Sequence, residues 1–156
     1  MKAIVLLAAV VGAIFFLTRE PMPSQDLREY KSRSYGRTVK TIGGSCSVET
    51  CLIIYVAPWC PHCRKATPMI KQLTEELRAE GVEVNIVVGR DGKSAVEKYA
   101  LSFPLPVYAD ADGSFFDKAQ ISGVPSFVVY NAAGHVTTKK SGYYSNAAAQ
   151  RKALGI

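Results

Sequence analysis

Short apolar runs along the chain alternate with longer segments in which apolar residues recur every three or four positions. The runs have the length and β-branched composition of strands, and the longer segments have the spacing of helices. The predicted strands cover 51–57, 82–88, 106–110, 126–131 and 132–143. The predicted helices cover 61–80, 91–103, 113–121 (a helix or a turn) and 146–154, the last capped by Ser145. This order predicts an α/β fold in which helices flank a central sheet.

The run "CLIIYVA" at 51–57 is apolar throughout, which is typical of a strand buried on both faces. In the segment that follows, Met69, Ile70, Leu73 and Leu77 fall on one helical face. We therefore expect this helix to pack on the sheet and to end near Gly81.

The N-terminal segment Ala3 to Leu17 carries no charge. As a helix it would be about 22 Å long, which is shorter than the hydrocarbon core of a bilayer but suits a signal peptide or a short anchor. The small residues of a cleavage site are missing after Leu17, so we interpret 1–18 as a signal-anchor and keep a cleaved signal as the alternative. Such a segment predicts that the remaining chain lies outside the cytoplasm.

Residues 19–40 are polar and contain Pro21, Pro23 and Gly36. This composition predicts a polar stalk, followed by one folded domain over 41–156. Hydrophobic residues make up 48% of the chain, enough for a core, and the formal charge of +6 is not concentrated in any run. We interpret the basic residues as a solvated face and predict no nucleic-acid partner.

Four cysteines carry the candidate chemistry: Cys46, Cys51, Cys60 and Cys63. A metal site is not predicted, because an extended strand would hold Cys51 and Cys60 about 25–30 Å apart. A purely structural Cys60–Cys63 bridge would close too small a loop to stabilise much. A cysteine at the start of a helix is instead favoured as a thiolate by the helix dipole. The spacing therefore predicts a redox pair, in which Cys60 attacks and Cys63 resolves without a cofactor.

The motif "WCPHC" after an apolar strand, followed later by "SGVPSF", resembles the thioredoxin superfamily. The resemblance implies a thioredoxin fold with a central mixed β-sheet and thiol–disulfide oxidoreductase activity on protein substrates. It also implies that Pro125 is cis and lies against the reactive cysteine. Val124 and Pro125 would then present a strand-like edge to the substrate, and Trp59 would contact it.

The stretch from Tyr99 to Val136 resembles the membrane-anchored TlpA-like thioredoxins, which carry an extra strand and helix before the cis-proline. Their resemblance implies a bacterial inner-membrane protein with its domain in the periplasm and a redox partner there. Two positions depart from the pattern of these relatives. Ile54 stands where thioredoxins usually carry a buried acid, and Ala66 stands where many TlpA-like reductants carry a glutamate.

The direction of electron flow is left open by these features. The dipeptide Pro61-His62 is that of the DsbA-like oxidants, and His62 next to a Cys60 thiolate would make the disulfide more oxidising. The protein would then act as an oxidant or an isomerase of disulfides. The TlpA-like scaffold instead implies reduction of one dedicated partner. The alternative to an oxidoreductase is a protein of another functional class, namely a non-catalytic binding or chaperone module that keeps the fold.

Cys46 and Cys51 form a second pair in "SCSVETC". A disulfide between them requires a turn, since an extended stretch would hold them about 17 Å apart. A structural disulfide, a second redox pair that relays electrons to Cys60, and two free buried thiols are the three interpretations.

Overall fold

The computed structural model describes residues 19–31 and 38–156, so the predicted signal-anchor over 1–18 lies outside the described residues. The strands are β1 Gln25–Tyr30, β2 Thr38–Ile42, β3 Thr50–Val56, β4 Glu83–Gly89, β5 Val107–Asp110, β6 Ser126–Asn131 and β7 Val136–Ser141. The helices are α1 Pro61–Ala79, α2 Lys93–Ala100, α3 Ser114–Lys118 and α4 Ala147–Leu154. Within these described ranges, no helix combines the length and apolar character needed to cross a bilayer.

The elements predicted from residue 51 onward are confirmed, with one correction at the last helix. Asn146, not Ser145, is the N-cap of α4, and its side-chain oxygen accepts a hydrogen bond from the backbone amide of Ala149 at 2.8 Å. Asparagine and serine are both good capping residues, so the sequence pattern could not separate two adjacent candidates.

The described strands form one mixed sheet in the order β2-β1-β5-β4-β3-β6-β7. The three central strands, β5, β4 and β3, are parallel, and their neighbours on both sides are antiparallel. All of β3 from Cys51 to Val56 is buried, as its unbroken apolar run predicted. The expected α/β architecture with a central mixed sheet is therefore confirmed.

Two apolar layers cover the sheet. On one face pack α1, α2 and α4, and the four residues predicted to form the apolar face of α1 are all buried there. The other face is covered by α3, through Phe115, and by the segment around Met22. Helix α1 ends at Ala79 with Glu80 as its C-cap, and the following Gly81 has a φ of +85°, a conformation that glycine adopts without strain.

The predicted polar stalk over 19–40 is wrong for the described part of that segment. Strand β1 pairs with β5, and β2 pairs with β1, so both belong to the sheet. Before them, the backbone amide of Met22 donates to the carbonyl of Gly134 at 2.8 Å, and its side chain is buried. The folded domain therefore begins near Pro21 rather than at residue 41.

The physical reason is that these strands bury few apolar residues. Four of the five residues of β2 are exposed, as is common for an edge strand that carries polar groups to avoid unwanted pairing. In β1 the buried set includes Glu29, which the hydroxyl of Tyr108 contacts at 3.3 Å and Lys31 pairs at 3.1 Å. The sequence does not distinguish a buried carboxylate that has hydrogen-bonding or ionic partners from a solvated carboxylate.

Asp110 is a buried acid at the end of β5 that holds the start of α3. Its carboxylate accepts hydrogen bonds from the backbone amides of Phe115 and Phe116, at 3.0 and 3.1 Å, and from the hydroxyl of Tyr55 at 2.7 Å. Burial raises the pKa of Asp110, and these hydrogen bonds oppose that effect. Because α3 leads into the loop before β6, Asp110 also helps to place that loop, which carries Pro125.

Cys46 and Cys51 form a disulfide, with a Cα–Cα distance of 5.7 Å. The chain therefore turns between these two cysteines, and just before Cys46 it passes through Gly43 and Gly44, whose φ angles are +81° and +75°. The interpretation as two free thiols is thereby excluded. The bond ties the β2–β3 loop to the start of β3, about 20 Å along the strand from the end that leads to Cys60.

We predict that this disulfide stabilises the fold without taking part in turnover. Replacing both cysteines by serine (C46S/C51S) should lower the free energy of unfolding by about 2 kcal/mol, since the closed loop is short. Thiol–disulfide exchange at Cys60 should be unchanged. Denaturant titration and an exchange assay on the same preparation measure both quantities. A large loss of exchange in a folded variant would instead support the relay interpretation.

We predict that Asp110→Ala destabilises the protein by about 2–4 kcal/mol, because it removes a helix cap and leaves the buried Tyr55 hydroxyl without its partner. The matched control is Asp117→Ala, an exposed acid in the same helix, which should change stability by no more than about 0.5 kcal/mol. Equal unfolding midpoints for the two variants would show that Asp110 does not hold α3.

Candidate active site

The first turn of α1 places the reactive pair of cysteines. Strand β3 ends at Val56, and a tight turn follows, in which the backbone amide of Cys60 donates to the carbonyl of Ala57 at 3.1 Å. Cys60 is the N-cap of α1, and Pro61 occupies the first helical position, where its missing N–H costs nothing. The Cys60 sulfur accepts a hydrogen bond from the backbone amide of Cys63 at 3.4 Å. A sulfur at this position faces the positive end of the helix dipole.

Cys63 lies one turn further along α1 and is more deeply buried. Its side chain is 0% exposed, compared with 3% for Cys60, and both are free cysteines in this structure. Burial raises the pKa of Cys63 to about 12, and the neighbouring Cys60 contributes to this rise. A backbone hydrogen bond from Ala57 and the charge of Arg64 lower it. This environment keeps Cys63 protonated at neutral pH. The Cys60 sulfur instead faces the backbone N–H groups at the start of α1, which can donate hydrogen bonds to a thiolate.

The loop before β6 meets this pair of cysteines. The Val124–Pro125 peptide bond is cis, as the sequence analysis predicted. The Cys60 thiol donates to the carbonyl of Val124, with a sulfur–oxygen distance of 3.5 Å. Behind the loop, the amide of Gly142 donates to the carbonyl of Pro125 at 2.8 Å. The structure thus brings together four of the predicted site residues: Cys60, Cys63, Val124 and Pro125.

Trp59, Pro61 and His62 lie on the exposed rim of the same site. The Trp59 ring is 55% exposed, and its indole N–H donates to the carbonyl of Arg90 at 2.9 Å. Arg90 has a positive φ of 56°, which is uncommon for a residue with a side chain. Pro61 and His62 are exposed on the first turn of α1. A tuning role for His62 stays a prediction.

The core beside Cys63 is apolar at positions 54 and 66, the two positions where the family resemblance implies acids. Ile54 and Ala66 are both fully buried and belong to the same apolar cluster as the two cysteines. Within the described ranges, no group of His, Cys, Asp and Glu residues is arranged to hold a metal ion. The arrangement is suited to thiol chemistry, in which two sulfurs carry the electrons.

A hydroxyl pair next to Cys63 was not predicted from the sequence. The hydroxyls of Tyr99 and Thr67 lie 3.0 Å apart, and Thr67 donates to the carbonyl of Cys63 at 3.0 Å. Burial raises the pKa of Tyr99 to about 12, with contributions from both cysteines. Together with Arg64, these residues line a groove of about 680 Å³ between α1 and the end of α2. No sequence signal identifies Tyr99, because its position depends on how α2 crosses the sheet.

The family model of the Redoxin family matches residues 20–153 of the chain. Thiol-disulfide oxidoreductase ResA of Bacillus subtilis is 28% identical over 86 residues, which are 54% of this chain and 48% of that protein. Soluble secreted antigen MPT53 of Mycobacterium tuberculosis is 31% identical over 98 residues, which are 61% of this chain and 55% of that protein. The chain thus spans about half the length of the curated relatives it matches.

The crystal structure of StoA from Bacillus subtilis superposes on this fold with a TM-score of 0.65. The two chains are 16% identical, and the superposition covers 83% of this chain and 95% of StoA. The similarity confirms a thioredoxin-like α/β fold. Because the Redoxin match extends from β1 to α4, the protein belongs to the Redoxin family of the thioredoxin superfamily.

Proposed function

We propose that the protein is a thiol–disulfide oxidoreductase that acts on protein substrates through Cys60 and Cys63. The observation that carries this proposal is the position of the Cys60 sulfur. It accepts the Cys63 amide at 3.4 Å and lies 3.5 Å from the carbonyl of Val124, next to the cis-proline. The names of the relatives support the same chemistry, since ResA is described as a thiol-disulfide oxidoreductase.

In the reductive direction, the Cys60 thiolate attacks one sulfur of a substrate disulfide, and the other substrate sulfur leaves as a thiolate. The Cys63 sulfur then attacks Cys60 in the mixed disulfide and displaces the remaining substrate sulfur. The protein ends with a Cys60–Cys63 disulfide, and the substrate gains two electrons and two protons. The oxidative direction is the same sequence reversed, and neither direction needs a cofactor.

The substrate backbone would run along the edge that Val124 and Pro125 offer, because an extended peptide can hydrogen-bond to an exposed backbone edge. Trp59 and His62 would form the surface beside it. The first turn of α1 and His62 favour a reduced, ionised Cys60 and so a more oxidising disulfide. The scaffold resembles that of dedicated reductants. The reduction potential of the Cys60–Cys63 pair decides between the two directions.

We also propose that the domain works outside the cytoplasm, held at the bacterial inner membrane by residues 1–18. The uncharged run in that segment supports this location, as does the Cys46–Cys51 disulfide, since such bonds persist in oxidising compartments. MPT53 is described as a soluble secreted antigen, which suits the same side of the membrane. Strand β5 and helix α3, which precede the cis-proline, correspond to the insertion of TlpA-like thioredoxins in this proposal.

We predict that Cys60→Ser abolishes both insulin reduction and the refolding of scrambled ribonuclease. Cys63→Ser should instead accumulate mixed disulfides with substrates, because Cys60 still attacks and nothing resolves the product. Non-reducing gel electrophoresis detects these adducts. The C46S/C51S variant is the matched control and should turn over normally. A wild-type protein inactive in both assays would contradict the proposal and favour a binding module.

We predict that His62→Ala lowers the reduction potential of the Cys60–Cys63 disulfide by about 30 mV, which corresponds to a tenfold change in the equilibrium constant. The loss of a positive or hydrogen-bonding group near Cys60 would destabilise the thiolate and hence the reduced form. Equilibration with glutathione buffers measures the potential. The other histidine of the chain offers the control His135→Ala, because it lies at the opposite end of β6. Identical potentials for the two variants would rule out a tuning role for His62.

A further inference from the structure

The resolving sulfur must lose its proton in a setting that strongly disfavours the thiolate. Cys63 is 0% exposed, and burial raises its pKa to about 12. The two positions at which relatives place a carboxylate are occupied by Ile54 and Ala66, both buried among apolar side chains. A proton acceptor in the core is therefore missing at both positions. Some other group has to favour the Cys63 thiolate whenever this sulfur attacks Cys60 or leaves it.

Arg64 is held against the turn that covers this sulfur. Its guanidinium Nη1 donates to the carbonyl of Pro58 at 2.6 Å, and its backbone amide donates to the carbonyl of Cys60 at 3.2 Å. Pro58 directly follows Ala57, whose backbone hydrogen bond lowers the pKa of Cys63. The Arg64 guanidinium and the Ala57 backbone group thus both lie at the turn that precedes α1, and both favour an anion at Cys63.

The ionisable groups that face Cys63 come from two helices. On α1 these are Arg64 and the N-cap residue Cys60, and across the groove from α2 comes Tyr99. Cys60 raises the pKa of Cys63, and Cys63 in turn raises the pKa of Tyr99. Arg64 acts in the opposite sense on both groups. Among these three, Arg64 is therefore the group whose charge favours an anion at Cys63.

Building on the proposed function, we propose that Arg64 supplies the positive charge that stabilises the Cys63 thiolate during the resolving step. In that step the Cys63 thiol gives its proton to water, and the resulting thiolate attacks the Cys60 sulfur of the mixed disulfide. The Cys60–substrate bond breaks, the Cys60–Cys63 bond forms, and the substrate thiolate takes up a proton. In reverse, the same charge stabilises Cys63 as the leaving group. Arg64 thus favours the Cys63 thiolate through its positive charge, whereas a buried carboxylate would favour it by accepting the proton.

The test uses the reduced protein and Ellman's disulfide, 5,5′-dithiobis(2-nitrobenzoate). Attack by Cys60 releases a first coloured thiolate and leaves a mixed disulfide, and attack by Cys63 releases the second. We expect Arg64→Gln to raise the pKa that governs the second phase, so that the phase slows about threefold to tenfold at neutral pH and its pH profile moves to higher pH. Because Arg64 is exposed, the difference from wild type should shrink as salt is added.

The matched control is Lys65→Gln, which removes the same charge from the next residue of the same helix, where the side chain is also exposed. It should reproduce the wild-type second phase. Arg64→Lys should recover most of the rate, since it keeps the charge but not the fork of donors. Thermal unfolding of each variant confirms that it is folded. If Arg64→Gln does not fold, the test uses Arg64→Lys and the salt dependence of the rate of its second phase.

Three outcomes would overturn the inference. The pH profile of Arg64→Gln could coincide with that of Lys65→Gln. Arg64→Lys could be as slow as Arg64→Gln, which would assign the effect to the hydrogen bond with Pro58. Tyr99→Phe could shift the profile while Arg64→Gln does not, which would assign the proton to the hydroxyl pair. A wild-type protein that lacks the second phase altogether would refute the proposed function itself, and the two failures are thereby distinguished.

Discussion

The burial of β3 on both faces is the constraint on which the active site depends. This strand lies between β4 and β6, and its residues from Cys51 to Val56 are shielded from solvent. Its register with β6 pairs Tyr55 with Ser126, so that the end of β3 and the start of β6 lie side by side. The chain leaves β3 toward Cys60 and enters β6 from Pro125. Strand pairing therefore brings the two loops to the same edge of the sheet, where the Cys60 thiol contacts the carbonyl of Val124.

Much of this arrangement could be predicted, because its determinants are local in the sequence. An unbroken apolar run, two cysteines at helical spacing, and a Val-Pro dipeptide before the next strand are patterns that few other structures produce. The segment 19–40 could not be predicted in the same way. Leu27 and Glu29 of β1 are both buried, and Glu29 has Tyr108 and Lys31 as partners. In the sequence, however, a glutamate counts as a polar residue, so the hydrophobic pattern of this buried strand is interrupted. Tyr99 and Asp110 were missed for a related reason, since their contacts join residues far apart in the chain.

The two cysteine pairs show that spacing alone does not decide what a disulfide does. Cys46 and Cys51 lie at one end of β3, and their bond ties the β2–β3 loop to the sheet. Cys60 and Cys63 lie beyond the other end, where a helix begins and where the carbonyl of Val124 approaches the first sulfur. Helix-terminal N–H groups favour a thiolate only at the second pair, and that difference separates a structural bond from a reactive one.

The apolar residues at positions 54 and 66 connect the stability of this core with its chemistry. A buried carboxylate beside Cys63 would serve as a base, but an unpaired charge there would weaken the packing of α1 on the sheet. With Ile54 and Ala66 the core avoids that cost, and the resolving thiol loses an acceptor for its proton. In the proposed resolving step a cation compensates from the surface, since an exposed guanidinium keeps its hydration while its positive charge favours the buried thiolate. Arg64 fits this role, because its side chain is exposed on α1 and its guanidinium is held at the carbonyl of Pro58, in the turn that precedes the two cysteines.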